Sequence, residues 1–185
     1  MSKNGLILIK PSSITYTGSG SSATISENGS VSFSQCSTLR LDGVFNADYN
    51  NYRIVWWWQP NDIGGDSMRM RLSASGVFDS TASAYVWGQI LARNTTFSSS
   101  RVTDNHWRVA LAGASTTRAG YIVDMYGPYL TQPTAFKSFG ADSYNSIEIN
   151  DFSGTHNQSV AYDGFHWFPY SGRMGGRVAV YGMRK

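Results

Sequence analysis

The sequence predicts an all-β fold, an antiparallel β-sandwich that is jelly-roll-like, and three observations predict it. Apolar residues recur with period two in short runs along the whole 185 residues. Turn signals such as Asn28-Gly29 and Asp42-Gly43 separate those runs. Helical periodicity is close to absent, leaving only Asp79 to Ala84 with room for a short turn.

Each element follows from its residues. Gly5 to Ile14 reads as a strand that starts almost at the first residue. Thr15 to Ser22 is rich in Ser, Thr and Gly but is bracketed by strand-like Ile14 and Ile25, so it is expected to be a connecting loop. Thr24 to Ser26 and Ser30 to Ser34 flank Glu27-Asn28-Gly29 and predict a tight hairpin. Ser37 to Leu41 follows, with Leu39 and Leu41 on one face.

Tyr52 to Trp58 is the most hydrophobic strand, stopped by Pro60 and the loop Asn61 to Gly65. Met68 to Ser73 is its expected neighbour, with Met68, Met70 and Leu72 turned inward and Arg69 and Arg71 turned to water. Tyr85 to Leu91, Trp107 to Leu111, Arg118 to Tyr126, Ser146 to Asn150, Gly164 to Phe168 and Arg177 to Met183 bring the total to about ten strands. The expected core includes Ile54, Trp56, Trp58, Met70, Leu72, Ile147, Ile149, Val178 and Val180. No linker or composition break divides the chain, so residues 1–185 are expected to form one domain whose terminal strands are tied into a sheet.

Composition narrows the function classes. Charged residues make up 15% of the chain, against roughly 25% in an average soluble domain. Ser, Thr, Gly and Asn fill the gap, giving surfaces that tolerate burial against copies of themselves. The formal charge of +3 comes from basic residues scattered singly, which argues against a phosphate track and a nucleic-acid partner. Cys36 is the only cysteine, so no intramolecular disulfide can form, and it reads as a small packed residue. No charged and apolar leader opens the chain and no apolar run is long enough to span a bilayer. Synthesis in a reducing cytoplasm, without membrane insertion, is expected.

The residues that could carry chemistry are sparse. A glycan hydrolase needs two carboxylates facing each other across a scissile bond. Glu27 sits in the predicted hairpin turn, and Glu148, between Ile147 and Ile149, is expected to point away from the core. Asp124, Asp151 and Asp163 could serve, but the sequence does not pair them. His106, His156 and His166 lack metal-ligand spacing, and no nucleophile elbow, P-loop or dinucleotide fingerprint is present. No catalytic residue, cofactor or metal is expected.

Trp56-Trp57-Trp58 is the sharpest chemical feature. Trp56 and Trp58 share the core face with Tyr52 and Ile54, which leaves Trp57 outward beside Val55 and Arg53. An outward Trp near an Arg suits stacking on a neighbouring subunit or on a sugar ring. Arg53 and Trp57, with Asn61, Asp62 and Asp66 of the following loop, are therefore the candidate contact residues.

Several segments together resemble a small β-domain common in tailed bacteriophages. They are Leu8 to Thr15 (Leu-Ile-Lys-Pro-Ser-Ser-Ile-Thr), Ser21 to Phe33, Leu39 to Phe45 (Leu-Arg-Leu-Asp-Gly-Val-Phe), Tyr49 to Val55, Arg71 to Gly76 with Tyr85, and Gly176 to Gly182. The triple Trp departs from that pattern, where aliphatic residues are expected. The resemblance covers nearly the whole chain. It implies a virion structural protein in a tail fibre or tip, or alternatively a capsid decoration, head-fibre or cement protein. It also implies a jelly-roll-like sandwich assembled as a homotrimer beside other virion proteins, and no active-site role for any residue. A carbohydrate-binding module, within the same virion as an adhesin for host surface glycan, and a glycan hydrolase are the remaining alternatives.

Overall fold

A computed structural model describes residues 5–62, 66–112, 118–142 and 148–184. Sixteen strands are seen among them, in chain order β1 (Leu6–Ile9), β2 (Ser13–Thr17), β3 (Ser22–Ile25), β4 (Val31–Cys36), β5 (Thr38–Asp42), β6 (Asn51–Pro60), β7 (Asp66–Ala74) and β8 (Val77–Phe78). The series continues with β9 (Tyr85–Arg93), β10 (Thr96–Asp104), β11 (Trp107–Ala112), β12 (Ala119–Tyr126), β13 (Thr134–Asp142), β14 (Glu148–His156), β15 (Gly164–Pro169) and β16 (Met174–Met183).

The strands form two antiparallel sheets packed face to face. The larger has ten strands in the order β10-β9-β14-β13-β12-β6-β16-β4-β3, with β1 beside β16; the smaller has six in the order β11-β7-β15-β5-β2, with β8 beside β7. The chain switches layer repeatedly, from β4 to β5, β6 to β7 and β14 to β15 to β16, which gives the sandwich its jelly-roll-like character. The last long strand lies in mid-sheet. β16 pairs along its whole length with β6, while its other side is shared end to end by β4 and β1.

Alternation sends one face of each sheet into a common apolar core. Tyr52, Ile54, Trp56 and Trp58 of β6 all point inward. Trp56 stacks on Trp58 at 6.1 Å between ring centroids and meets Trp167 of the opposite sheet at 4.3 Å. The Tyr52 hydroxyl donates to the Asn46 carbonyl at 2.6 Å, and burial pushes its pKa up to about 12.

Several expectations are corrected. Met68 to Ser73 is not the neighbour of Tyr52 to Trp58: β7 lies in the six-stranded sheet, and β6 is flanked by β12 and β16. Both strands bury one face, and here they bury it against each other across the core rather than side by side. The opening strand is two strands, broken at Lys10-Pro11, where proline has no N–H for a ladder. Thr15 to Thr17 therefore belongs to β2 and not to a loop.

Ile149 lies outside the core at 49% exposure, while Glu148 is fully buried and ion-paired with Arg93. The phase of the strand is the reverse of the one expected, because the outer face of this sheet is itself apolar. Ile147 lies outside the described residues. The remaining core expectations, Ile54, Trp56, Trp58, Met70, Leu72, Val178 and Val180, are all buried. The hairpin at Asn28-Gly29 forms with Ile25 opposite Val31, and Gly29 takes the positive φ of 94° that its turn requires. Cys36 is buried and free.

Candidate interaction surfaces

Two outer faces carry chemistry. On the ten-stranded sheet, the outward residues of neighbouring strands line up in rows. One row is polar, with Arg53 opposite Asp124, Asp124 opposite Lys137 and Lys137 opposite Ser153. The next is apolar, with Val55 opposite Ile122 and Ile122 opposite Phe139. Asp151 follows on β14 and Ile90 on β9. A third holds Trp57, Gly120, Ala141, Ile149, Ala92 and Phe97. Val55, Ile122, Phe139, Ile149, Ile90 and Phe97 are 40–81% exposed, so an apolar band covers much of the sheet, interrupted by Asp151.

The five candidate residues are distributed over different parts of the molecule. Arg53 holds Asp124 through two 2.7 Å bonds, and this pairing, ahead of the opposing cost of burial, raises the guanidinium pKa. Trp57 is half-buried on the same face, with the Arg118 guanidinium 4.5 Å above its ring. Asn61 accepts the backbone N–H of Gln35 at 3.3 Å and donates its own to the Arg173 carbonyl. Asp62 takes both guanidinium branches of Arg173 at 2.6 Å, and Arg173 also reaches the Ser19 carbonyl at 2.7 Å. These two residues therefore tie three loops together. The backbone of Asp66 opens β7 in the other sheet.

The other face was not singled out in the sequence. Across the six-stranded sheet, Thr15, Arg40, His166 and Arg71 stand opposite one another on β2, β5, β15 and β7. His166 is 7% exposed and stacks between two rings, Phe78 at 4.7 Å and Phe168 at 5.3 Å. Phe78 reaches that position because the short β8 folds back on β7, setting Phe78 opposite Ser73. The Arg71 guanidinium covers both phenyl rings, at 5.2 and 4.7 Å.

Between this stack and the hydroxyl edge of Thr15, Thr17 and Thr38 lies a groove of about 530 Å³. Arg40 is ion-paired with Asp42 at 3.0 Å and bonds the Gly76 carbonyl. Arg71 donates through Nε and Nη2 to the carbonyl and side-chain oxygens of Asn105, both at 2.9 Å. Burial first, then the Arg71 and Arg40 charges, lower the His166 pKa to about 4, so the imidazole is neutral near pH 7. Its Nδ1 is buried and has no hydrogen-bond partner. A cross-strand comparison of β5, β7 and β15 could have signalled the cluster, but sequence alone does not show which strands are neighbours.

Asp124, Asp151 and Asp163, the carboxylates free to serve in hydrolysis, are each engaged. Asp124 binds Arg53, Asp151 pairs with Lys137 at 3.0 Å, and Asp163 accepts the Ser75 backbone N–H at 3.2 Å. Among the described residues, no three of His, Cys, Asp and Glu are grouped to hold a metal ion.

No protein-family model matches the chain, and no curated protein matches it. Among solved structures, it is similar to domain 4 of AbnA, a GH43 extracellular arabinanase from Geobacillus stearothermophilus, in complex with arabinotriose. That similarity has 12% identity and a TM-score of 0.36, covering 93% of this chain and 82% of the other. The catalytic domain of PdAgaC aligns with 8% identity and a TM-score of 0.24, covering 97% of this chain and 76% of the other. SCLam, a non-specific endo-beta-1,3(4)-glucanase from family GH16, aligns with 14% identity and a TM-score of 0.25, covering 85% and 73%. These similarities carry no site residue, ligand or activity over to this chain.

Proposed function

We propose that the chain is a non-enzymatic bacteriophage virion structural protein, displayed on the outside of the particle as a homotrimer in a tail fibre or tip. The observation that carries the reading is the apolar band Val55–Ile122–Phe139, with Ile90, Ile149 and Phe97 beside it. A lone molecule would leave this band in water, whereas a closed assembly covers it. The sequence resemblance to phage virion β-domains supplies the setting, and low charge with abundant hydroxyls suits extensive self-contact. β10, an edge strand of the larger sheet, is exposed along most of its length, and assembly would protect it from open-ended pairing. Position on the capsid as a decoration protein is the second reading, since a head-bound trimer would use the same surface.

Two measurements test this. Mass spectrometry of purified particles should find the chain in the virion; recovery only from the lysate sinks the proposal. Light scattering at micromolar concentration should give three times the chain mass, and the double substitution Ile122→Lys/Phe139→Glu should give a folded monomer. A wild-type monomer would exclude the assembly.

A further inference from the structure

The geometry points to the groove on the six-stranded sheet as a binding site for an acidic saccharide, with the sugar carboxylate held by Arg71 and its hydroxyls by His166 and the threonine edge. This site is separate from the self-contact face, since it lies on the other sheet of the sandwich. The two claims stand or fall independently.

Charge selects an anion. Arg40 is compensated by Asp42 at 3.0 Å, but among the described residues Arg71 has no carboxylate partner within ion-pair distance. Asp104, at the end of β10 in the other sheet, acts on Arg71 only from beyond ion-pair distance. The Asn105 contacts use Nε and Nη2 of Arg71, and the remaining Nη1 is free to donate. Burial disfavours the charged form of this guanidinium, so an incoming carboxylate would regain solvation that the fold has removed. The phenyl rings of Phe78 and Phe168 hold its plane in place, which lowers the ordering cost of binding.

The rest of the site selects a polyhydroxylated ligand. A buried imidazole nitrogen without a partner costs free energy that a ligand hydroxyl would recover. As a neutral ring, His166 offers either a donor or an acceptor at Nδ1, according to its tautomer, and a sugar hydroxyl can meet either. Thr17 and Thr38 hydroxyls lie 2.7 Å apart on the facing wall and extend the same chemistry. Phe78, 39% exposed, presents an apolar edge suited to the C–H face of a pyranose. A bare inorganic anion would use Arg71 and leave the other groups idle.

The test uses the intact chain, with NMR observation of the His166 imidazole and calorimetry. Probes at up to 1 mM are oligogalacturonate, oligomannuronate, hyaluronan fragments and sialyllactose, beside methyl-esterified oligogalacturonate, acetate and inorganic phosphate. At least one acidic sugar should bind saturably and shift the His166 resonances, and Arg71→Gln and methyl esterification should each weaken binding at least tenfold. Thr38→Val, a gentler change at the opposite wall, should weaken it several-fold. Absence of binding by every acidic sugar, equal binding of a neutral ester, equal binding by the folded Arg71→Gln variant, or acetate binding as tightly as the sugar would each overturn the proposal.

Discussion

Arg53 and Asp124 face each other across the β6–β12 ladder and share two hydrogen bonds of 2.7 Å. Their planes meet as fork to fork, the arrangement in which an ion pair on a sheet surface holds its geometry. The pair marks the polar border of the apolar band: Val55 and Ile122, two residues along each strand, are the first apolar pair inside it. Cross-strand register thus draws the edge of the proposed contact face.

The pair is partly exposed, so its energy is modest. A double-mutant cycle with Arg53→Met and Asp124→Leu should give a coupling of roughly 0.5–1 kcal/mol in dilute buffer, shrinking in 1 M salt. Urea unfolding of the four proteins measures it. A coupling of zero at low salt would refute the paired geometry.

Glu148 and Ile149 offer a contrast in stability that ordinary hydrophobic patterning would reverse. Glu148 is buried on β14 opposite Asp142 on one side and Arg93, its ion-pair partner, on the other. Glu148→Ala leaves the buried network short of a carboxylate and should cost about 3 kcal/mol. Ile149→Thr on the outer face should cost under about 0.5 kcal/mol when measured in the monomeric Ile122→Lys/Phe139→Glu background. Should the isoleucine change prove the costlier, the assigned faces are wrong.

Acid should destabilise the fold through its histidines. Burial is the largest cause in His106 and His166, and both have pKa values lowered to about 4, with Arg71 and Arg40 adding to the effect at His166. A histidine so depressed is neutral in the folded chain, while the unfolded chain takes a proton below its ordinary value of about 6.5. The stability is therefore fully present above that value and declines as the pH falls towards 4, by on the order of 2–3 kcal/mol per histidine. His166→Phe keeps the stacking between Phe78 and Phe168 and removes the titration. Melting temperatures of wild type and variant should diverge between pH 7 and pH 4.5, with the variant losing less. Parallel curves would show that His166 has no part in the acid response.

Much of the fold was legible because strand chemistry is local. Alternation in Tyr52 to Trp58 and in Met68 to Leu72 assigned the inward residues of two long strands, and Asn28-Gly29 located a hairpin. β10 and β13 escaped notice for a physical reason. β10 is a sheet edge written in serine, and β13 sets its two Phe three residues apart on opposite faces among Ala, Lys, Ser and Gly, so neither shows the apolar run of a buried strand. Arg53, Asn61, Asp62 and Asp66 are near Trp57 in sequence, whereas neighbours on one face of a sandwich come from strands far apart in the chain.

By itself the sequence determined what strands such as β6 and β7 could bury. Period-two patterning, turn residues and the lack of helical spacing are properties of a few adjacent residues, and they suffice to specify an all-β chain with an aromatic core. Only the tertiary structure decided which strands became neighbours, and with that the sheet to which β7 belongs, the phase of β14 and the cross-strand rows. His166 meets Arg40 and Arg71 because β15 pairs with β5 on one side and β7 on the other. Those pairings are fixed by the fit of whole faces across the core, a long-range balance of burial and loop closure that no local pattern records.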